Sequence, residues 1–190
     1  MLEGVEAVSA REPDALMIVC PYYNRPCQSG MIAHFRQLAN AIELPIIVYN
    51  IPQRSATHLE TESMVELSRV PNIVGIKEAS PQLDVLIDLL AKLDDGISVF
   101  TGEDAFILPA LALGADGAIS AVANVLIEEL VTIFAAVEQA DLATAREVYY
   151  RIRPAVKTLF SEPNPGPMKA ALNMMGVCGS ELRLPLLPAT

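Results

Sequence analysis

Residues 72–94 have the sequence NIVGIKEASPQLDVLIDLLAKLD, which contains the pattern that identifies the fold class. It opens with NIVGIKEA, a short apolar run rich in β-branched residues, which predicts a β-strand. The following QLDVLIDLLAKLD has apolar residues at helical spacing, which predicts an amphipathic helix. Because the strand is apolar on both faces, it is typical of a parallel strand covered by helices. The stretch therefore predicts one βα unit.

The same alternation recurs along the chain and gives five units in all. Repeated βα units of this length predict a parallel α/β fold. The two units at the front are ALMIVC (15–20) with QSGMIAHFRQLANAIE (28–43), and PIIVYN (45–50) with HLETESMVELSRV (58–70); two weaker units follow residue 94, ISVFTGED (97–104) with AFILPALALGA (105–115), and GAISAVA (117–123) with a helix from Asn124.

The rest of the chain is helical in pattern. Residues 124–160 show helical spacing throughout, and PMKAALNMMGV adds a helix after the proline-rich EPNPGP. We predict a partial (β/α) barrel over residues 1–123 and a C-terminal helical domain over residues 124–190. A closed eight-stranded barrel takes about 250 residues, more than this chain has. An open doubly wound sheet is the alternative, but the loop PYYNRPCQSG after the first strand lacks the GxGxxG expected there.

The composition argues against two classes of partner. Thirteen Lys and Arg against 23 Asp and Glu give a net charge of −10, so no basic surface is available for a phosphate backbone and no nucleic acid is expected. The most apolar stretch, residues 105–127, contains Asp116 and several glycine, proline and asparagine interruptions. A buried core is therefore favoured over a membrane span, and no membrane partner is expected.

The cysteines bear on the cellular location of the protein, and the histidines bear on metal binding. Cys20, Cys27 and Cys178 form no CxxC pair, and the first residues do not resemble a secretion signal, so we expect a reducing, cytoplasmic location. His34 and His58 have no second ligand at metal spacing. We therefore expect no metal and no other cofactor.

Lys77 is the main candidate for chemistry because it lies inside an apolar strand. Burial lowers the pKa of a lysine and so frees the amine to attack a carbonyl. The alternative is a structural lysine paired with Glu78 or with an aspartate on a neighbouring strand. Successive strand residues face opposite sides, so Glu78 is not the natural partner of its neighbour.

Other strand ends carry further candidates. Tyr49 ends the preceding strand and could relay protons to the amine, although such a tyrosine can equally be a packing residue. Arg54, in the loop behind it, suits a carboxylate or a surface ion pair. Tyr22 and Tyr23 lie on a loop bounded by prolines, where they either contact another molecule or pack the loop. Gly102 permits close backbone approach, and the adjacent Glu103 and Asp104 are expected to complement a helix dipole.

Six strings in this order resemble one known family. The chain is similar to the pyruvate-dependent class I aldolase superfamily, and most of all to its dihydrodipicolinate synthase family, over essentially its whole length. The resemblance implies a (β/α)8 barrel followed by a C-terminal helical domain. The strings are YYNRP (22–26), YNIPQRS (49–55), GIKEAS (75–80), TGED (101–104), GAISAVANV (117–125) and EPNPGPMKAAL (162–172).

The resemblance implies a role for each candidate. Lys77 matches the lysine that forms a Schiff base with pyruvate, and Tyr49 matches the tyrosine that relays protons beside the imine. Tyr23 matches the tyrosine that reaches into a neighbouring subunit's site, which implies a homo-oligomer, dimer or tetramer. Arg54 matches the arginine that binds the carboxylate of aspartate semialdehyde. Ile119 matches a residue whose carbonyl lies close to pyruvate.

The activity implied is the condensation of pyruvate with L-aspartate semialdehyde to 4-hydroxy-tetrahydrodipicolinate, in lysine and diaminopimelate biosynthesis. Two alternatives stay open: another pyruvate-type aldolase, acting on 2-keto-3-deoxy sugar acids or resembling the sialic acid lyases, and a truncated homologue without catalysis. The family's Gly-Thr-Thr-Gly-Glu motif, which lies in about three earlier βα units, is absent from this sequence. We therefore expect a longer natural protein, and weak or no turnover from these 190 residues alone.

Overall fold

The computed structural model describes residues 2–190, and the side chains of all of these except positions 2, 3 and 6. Within these residues, five parallel strands form one sheet in sequential order. The predicted α/β class and all five predicted strands are confirmed. The strands are Leu16–Val19 (β1), Ile46–Asn50 (β2), Ile73–Glu78 (β3), Ser98–Thr101 (β4) and Gly117–Ala118 (β5).

The helices follow the strands as the alternation predicts, with two differences. The structure has a short helix at residues 52–55 that the sequence did not predict. Pro52 occupies its first turn, and Ala56 ends it in the left-handed conformation, at φ 59°. Residues 124–160 are not continuously helical, because Ala140 has a φ of 57° and Asp141 begins a new helix by accepting the N–H of Thr144 at 3.1 Å. The helices are Leu2–Ser9 (α1), Gln28–Ala41 (α2), Pro52–Ser55 (α3), Thr61–Leu67 (α4), Leu83–Lys92 (α5), the 3-10 turn Asp104–Phe106, Ile107–Ala112 (α6), Ala123–Glu138 (α7), Leu142–Leu159 (α8) and Gly166–Met174 (α9).

The described chain forms two compact units. The first runs to residue 103 and includes residues 113–119, so it holds the whole sheet with α1 to α5; the second consists of residues 104–112 and 120–190. The division at residue 123 into a partial barrel and a helical domain stays a prediction. No helix among residues 2–190 combines the length and the apolar character that crossing a membrane requires.

In the first unit, one face of the sheet packs against helices. Side chains alternate along β2, so that Ile46 and Val48 are buried while Ile47 and Tyr49 are only half-buried. On that second face Met17 of β1 is 47% exposed, so this face is less covered than the first at β1. Each fully buried aliphatic or aromatic side chain contributes about 1.5–3 kcal/mol. The core includes Leu16, Ile18, Met31, Phe35, Leu38, Ile46, Val48, Met64, Leu67, Ile76 and Leu89.

In the second unit, Asp104 is a structural residue. It is 4% exposed and accepts hydrogen bonds from the hydroxyl of Ser120 and, at 3.3 Å, from the N–H of Val122. The predicted role of Asp104 at a helix N-terminus is therefore incomplete, because its carboxylate also holds the segment before α7. The apolar residues of α7 and α8 pack together and include Leu130, Ile133, Val148, Ile152 and Val156.

Asn72 fixes the start of β3 to the end of α2. Its amide nitrogen donates to the carbonyls of Ala39 at 3.0 Å and Ile42 at 2.9 Å. Carbonyls at a helix C-terminus have no partner within the helix, so these bonds satisfy groups that would otherwise be buried without one.

We expect Asn72→Ala to lower the free energy of unfolding by about 1–3 kcal/mol, because it leaves these carbonyls unsatisfied. Urea denaturation checks this value. The matched control is Asn40→Ala on the exposed side of α2, which should change stability by less than about 0.5 kcal/mol. Equal free energies of unfolding for the two variants would contradict the role of Asn72 in holding β3 to the end of α2.

Candidate active site

The ends of β2 and β3 bring Tyr49 and Lys77 together. The two residues are paired in the register of the parallel strands, so their side chains lie side by side on one face of the sheet. The Nζ of Lys77 lies 4.0 Å from the centroid of the Tyr49 ring, which is a cation–π geometry. Lys77 is only 7% exposed. The lysine and tyrosine that the sequence placed one βα unit apart are thus in direct contact.

An irregularity in the sheet decides which face Lys77 occupies. Ile46 pairs with Ile73, but the next residue, Ile47, pairs with Gly75, so β3 holds one extra residue at Val74. In a regular strand Ile73 and Lys77 would face the same side, because they are an even number of residues apart. The extra residue reverses this relation. Ile73 and Ile76 both enter the core, and Lys77 takes the opposite face.

Gly102 gives the lysine its space. A Cβ at this position would lie 2.6 Å from Cε of Lys77 and 2.7 Å from Cβ of Ala79, far inside ordinary contact. The N–H of Gly102 donates to the carbonyl of Glu78 at 2.6 Å, which holds the backbone after β4 against the end of β3. The close approach inferred for this glycine from the sequence is therefore an approach to the lysine side chain.

Glu78 faces away from the lysine, as alternation predicted. Its carboxylate accepts a hydrogen bond from the amide nitrogen of Asn50 at 2.7 Å and another from the N–H of Ser80 at 2.5 Å. Both partners lie with it in the buried layer between sheet and helices, where Asn50 is fully buried. Sequence reasoning missed this pair, because polar residues at strand ends look like loop residues.

Arg54 lies on α3 instead of in an extended loop. It is exposed, and α3 is tied to the end of β3 because the side-chain amide of Gln53 donates to the carbonyl of Ala79 at 2.8 Å. Gln53 gave no signal in the sequence, since a glutamine next to an arginine is common on any surface. Its bond places the helix that carries Arg54 at the same strand end as Lys77.

Ile119 and Tyr23 occupy two other positions of the first unit. Ile119 follows β5, and its N–H donates to the carbonyl of Thr101 at 3.0 Å, which places it beside the end of β4. Tyr23 lies in the loop after β1, where it is 88% exposed and has a φ of 73°. A bulky residue in the left-handed region is uncommon, so the loop holds this tyrosine in an unusual backbone conformation.

The cysteines of the first unit differ in their chemistry. Burial, together with the charge of Glu78, raises the pKa of Cys20 to about 12, so this thiol stays protonated. Cys27 is exposed, and hydrogen bonds from Ser29 and the backbone of Gly30 lower its pKa. Within the described residues, no group of three or more His, Cys, Asp or Glu side chains could hold a metal ion.

The chain has clear relatives. Residues 6–190 match the model of the dihydrodipicolinate synthetase family. A 4-hydroxy-tetrahydrodipicolinate synthase from Listeria monocytogenes is 40% identical over 174 residues, which are 92% of this chain and 59% of the relative. The chain therefore spans about three fifths of the length of this curated relative.

Solved structures agree with the sequence comparison. The crystal structure of dihydrodipicolinate synthase from Aquifex aeolicus superimposes with a TM-score of 0.95 at 37% identity, over 100% of this chain and 65% of that one. The chloride-inhibited enzyme from Acinetobacter baumannii, crystallised with pyruvate, gives a TM-score of 0.96 at 36% identity, over 100% and 65%.

These likenesses place the fold in the (β/α)8-barrel class, of which this chain holds five strands. The chain belongs to the dihydrodipicolinate synthetase family. The predicted fold class and family are confirmed.

We expect Gly102→Ala to lower the free energy of unfolding by about 1–3 kcal/mol, because the methyl group overlaps Lys77 and Ala79. Gly96→Ala is the control, since a Cβ there meets nothing within 4 Å. Denaturant titration of both variants measures the difference. If Gly102→Ala were as stable as Gly96→Ala, the close packing against Lys77 would be refuted.

Proposed function

We propose that this chain carries the Schiff-base part of an enzyme that condenses pyruvate with L-aspartate semialdehyde to 4-hydroxy-tetrahydrodipicolinate. The single observation that carries the proposal is a buried lysine whose Nζ lies 4.0 Å from the ring of a strand-end tyrosine. Family membership supports it. Because the chain spans 59% of the Listeria relative, the activity of the whole protein, its substrates and its place in lysine and diaminopimelate biosynthesis are parts of this proposal.

Lys77 acts as the nucleophile in the proposed reaction. Its uncharged amine adds to the keto carbon of pyruvate, and loss of water gives an imine. Burial favours the uncharged form of an amine, which is the form that attacks. The protonated imine then loses a proton from the pyruvate methyl group and becomes an enamine. The enamine carbon adds to the aldehyde of aspartate semialdehyde, and the amino group of that substrate displaces Lys77 as the ring closes.

Tyr49 is the proposed proton relay. Formation of the imine requires a proton to reach the departing hydroxyl group, and formation of the enamine requires one to leave carbon. The ring of Tyr49 is half-buried and packs against the amine, which supports this role.

Arg54 and Ile119 are the proposed substrate-binding residues. Arg54 is exposed on α3, where its guanidinium can donate two parallel hydrogen bonds to the carboxylate of the semialdehyde. The carbonyl of Ile119, at the end of β5, is proposed to lie close to pyruvate. The Acinetobacter enzyme that was crystallised with pyruvate supports pyruvate as the first substrate.

Tyr23 is proposed to contact a second subunit. Its ring is 88% exposed on a loop held in an unusual conformation, which suits an aromatic side chain offered to another molecule. We therefore propose a homo-oligomer, a dimer or a tetramer, working in the cytoplasm without a cofactor.

Borohydride reduction in the presence of pyruvate tests the proposal. We expect a reduced pyruvate adduct on Lys77, located by digestion and mass spectrometry, because reduction makes the imine permanent. Lys157→Arg, at an exposed position on α8, should leave the adduct unchanged, whereas Lys77→Arg should abolish it. Absence of the adduct from the full-length protein would refute a Schiff base at Lys77.

Arg54→Ala tests the second substrate. We expect pyruvate trapping to change less than about twofold, because Arg54 does not act on pyruvate. In a single turnover, aspartate semialdehyde consumes the enamine and so reduces the trapped adduct. The semialdehyde concentration that halves the adduct should rise roughly 10- to 100-fold, since a charge-assisted hydrogen bond contributes about 1.5–3 kcal/mol.

Arg54→Lys is the matched control, because it keeps the charge but loses the paired donors, and its shift should be smaller. An unchanged semialdehyde requirement in Arg54→Ala would indicate another acceptor aldehyde, as in the aldolases of 2-keto-3-deoxy sugar acids.

A further inference from the structure

A second pair of side chains lies directly behind Tyr49 and Lys77. Asn50 follows Tyr49 and Glu78 follows Lys77, and these two residues are also paired in the register of β2 and β3. They face the helix-covered side of the sheet, where Asn50 is 0% exposed and Glu78 is 2% exposed. The amide nitrogen of Asn50 donates to Oε2 of Glu78 at 2.7 Å.

Further hydrogen bonds fix the direction of this pair. The N–H of Leu59 donates to Oδ1 of Asn50 at 3.1 Å, so the amide nitrogen must point towards Glu78. The N–H of Ser80 donates to the other carboxylate oxygen of Glu78. His58 Nδ1 lies 3.2 Å from the amide nitrogen of Asn50. Each polar group of the pair therefore has a partner, and neither side chain can rotate without losing one.

The same network reaches the helices through Gln28. Its amide nitrogen donates to the carbonyl of His58 at 2.8 Å, and its oxygen accepts from the hydroxyl of Ser63 at 2.8 Å and the N–H of Glu60 at 3.0 Å. Residues 58–60, which include the two neighbours of Asn50, His58 and Leu59, are thus bound to the start of α2 and to α4.

Stability alone is a weak reason for this pair. Removing a carboxylate from water costs several kcal/mol, and apolar side chains of similar size often stabilise a core as well or better. A buried polar pair, however, accepts only one alignment of its two strands. The backbone pairing of β2 with β3 shifts between Ile46 and Ile47, so the pairing at the start of the strands does not fix the register at their ends. A polar pair that accepts only one alignment can fix it.

We propose that Asn50 and Glu78 are positioning residues whose hydrogen bond aligns the ends of β2 and β3, and thereby holds the Tyr49 ring against the amine of Lys77. The alignment is a property of the folded chain. Its value for imine chemistry rests on the function proposed above.

Lysine NMR measures the alignment without any substrate. The chain has four lysines, so labelling with [ε-¹³C]lysine gives four ε-CH₂ signals, and Lys77→Arg identifies that of Lys77. We expect the Tyr49 ring to shift this signal upfield, because Nζ lies 4.0 Å from the ring centroid, and Tyr49→Leu gives the position of the signal without the ring.

The test reverses the polarity of the pair. Asn50→Asp places two carboxylates face to face, and Glu78→Gln places two amide groups in contact. Each single variant should move the Lys77 signal more than halfway to its position in Tyr49→Leu. The double variant Asn50→Asp with Glu78→Gln can form the reversed bond, in which residue 78 donates to residue 50 and still accepts from Ser80, so it should recover the wild-type signal. Asn72→Ala, which is destabilised elsewhere, should keep that signal as well.

Several results would overturn the proposal: unchanged signals in folded single variants, a folded double variant that keeps the displaced signal, or a double variant that does not fold. If the single variants fail to fold, recovery of the wild-type signal in the double variant still supports the proposal.

Pyruvate trapping should also slow about tenfold or more in the single variants, because small misplacements of reacting groups are costly. If the NMR results hold but wild-type protein traps no pyruvate, the positioning stands and the proposed function fails.

Discussion

The contact between the Lys77 amine and the Tyr49 ring sets the requirements for the structure around it. A lysine that is only 7% exposed has lost most of its hydration, and when its amine is charged, the ring 4.0 Å from Nζ offsets part of that loss, by about 0.5–2 kcal/mol. The contact also needs room, which Gly102 provides by having no side chain at a point 2.6 Å from the lysine stem. Glycine at position 102 is therefore a requirement of the lysine, and not merely a feature of a loop.

The two faces of the sheet have different roles. The face that carries Val48, Ile76 and Val99 is buried, and it supplies the apolar area that holds the first unit together. The other face carries Tyr49 and Lys77 and is less covered. Because side chains alternate along a strand, each strand can serve both purposes at once. The extra residue at Val74 lets β3 do so, since it allows Ile73 and Lys77 to take opposite faces.

The sequence predicted the features that depend on repeated patterns. Short apolar runs identified all five strands, and their spacing predicted that Tyr49 and Lys77 would end neighbouring strands. Features that depend on a single local contact were missed. The four residues of α3 are too few to show helical periodicity, and the irregular pairing at Val74 leaves no mark in NIVGIKEA. The partners of Asn50 come from a loop and from another strand, so no sequence spacing shows them.

The buried network also explains why Cys20 fits at the end of β1. Its thiol lies 4.0 Å from Oδ1 of Asn50, and burial together with Glu78 keeps its pKa high, so it remains an uncharged weak donor to the network. A thiolate at this position would place a second negative charge beside Glu78 in a layer with little water, which is strongly unfavourable. The ends of β1, β2 and β3 thus share one hydrogen-bonded layer behind Lys77, and the carboxylate of Glu78 determines which groups that layer accepts.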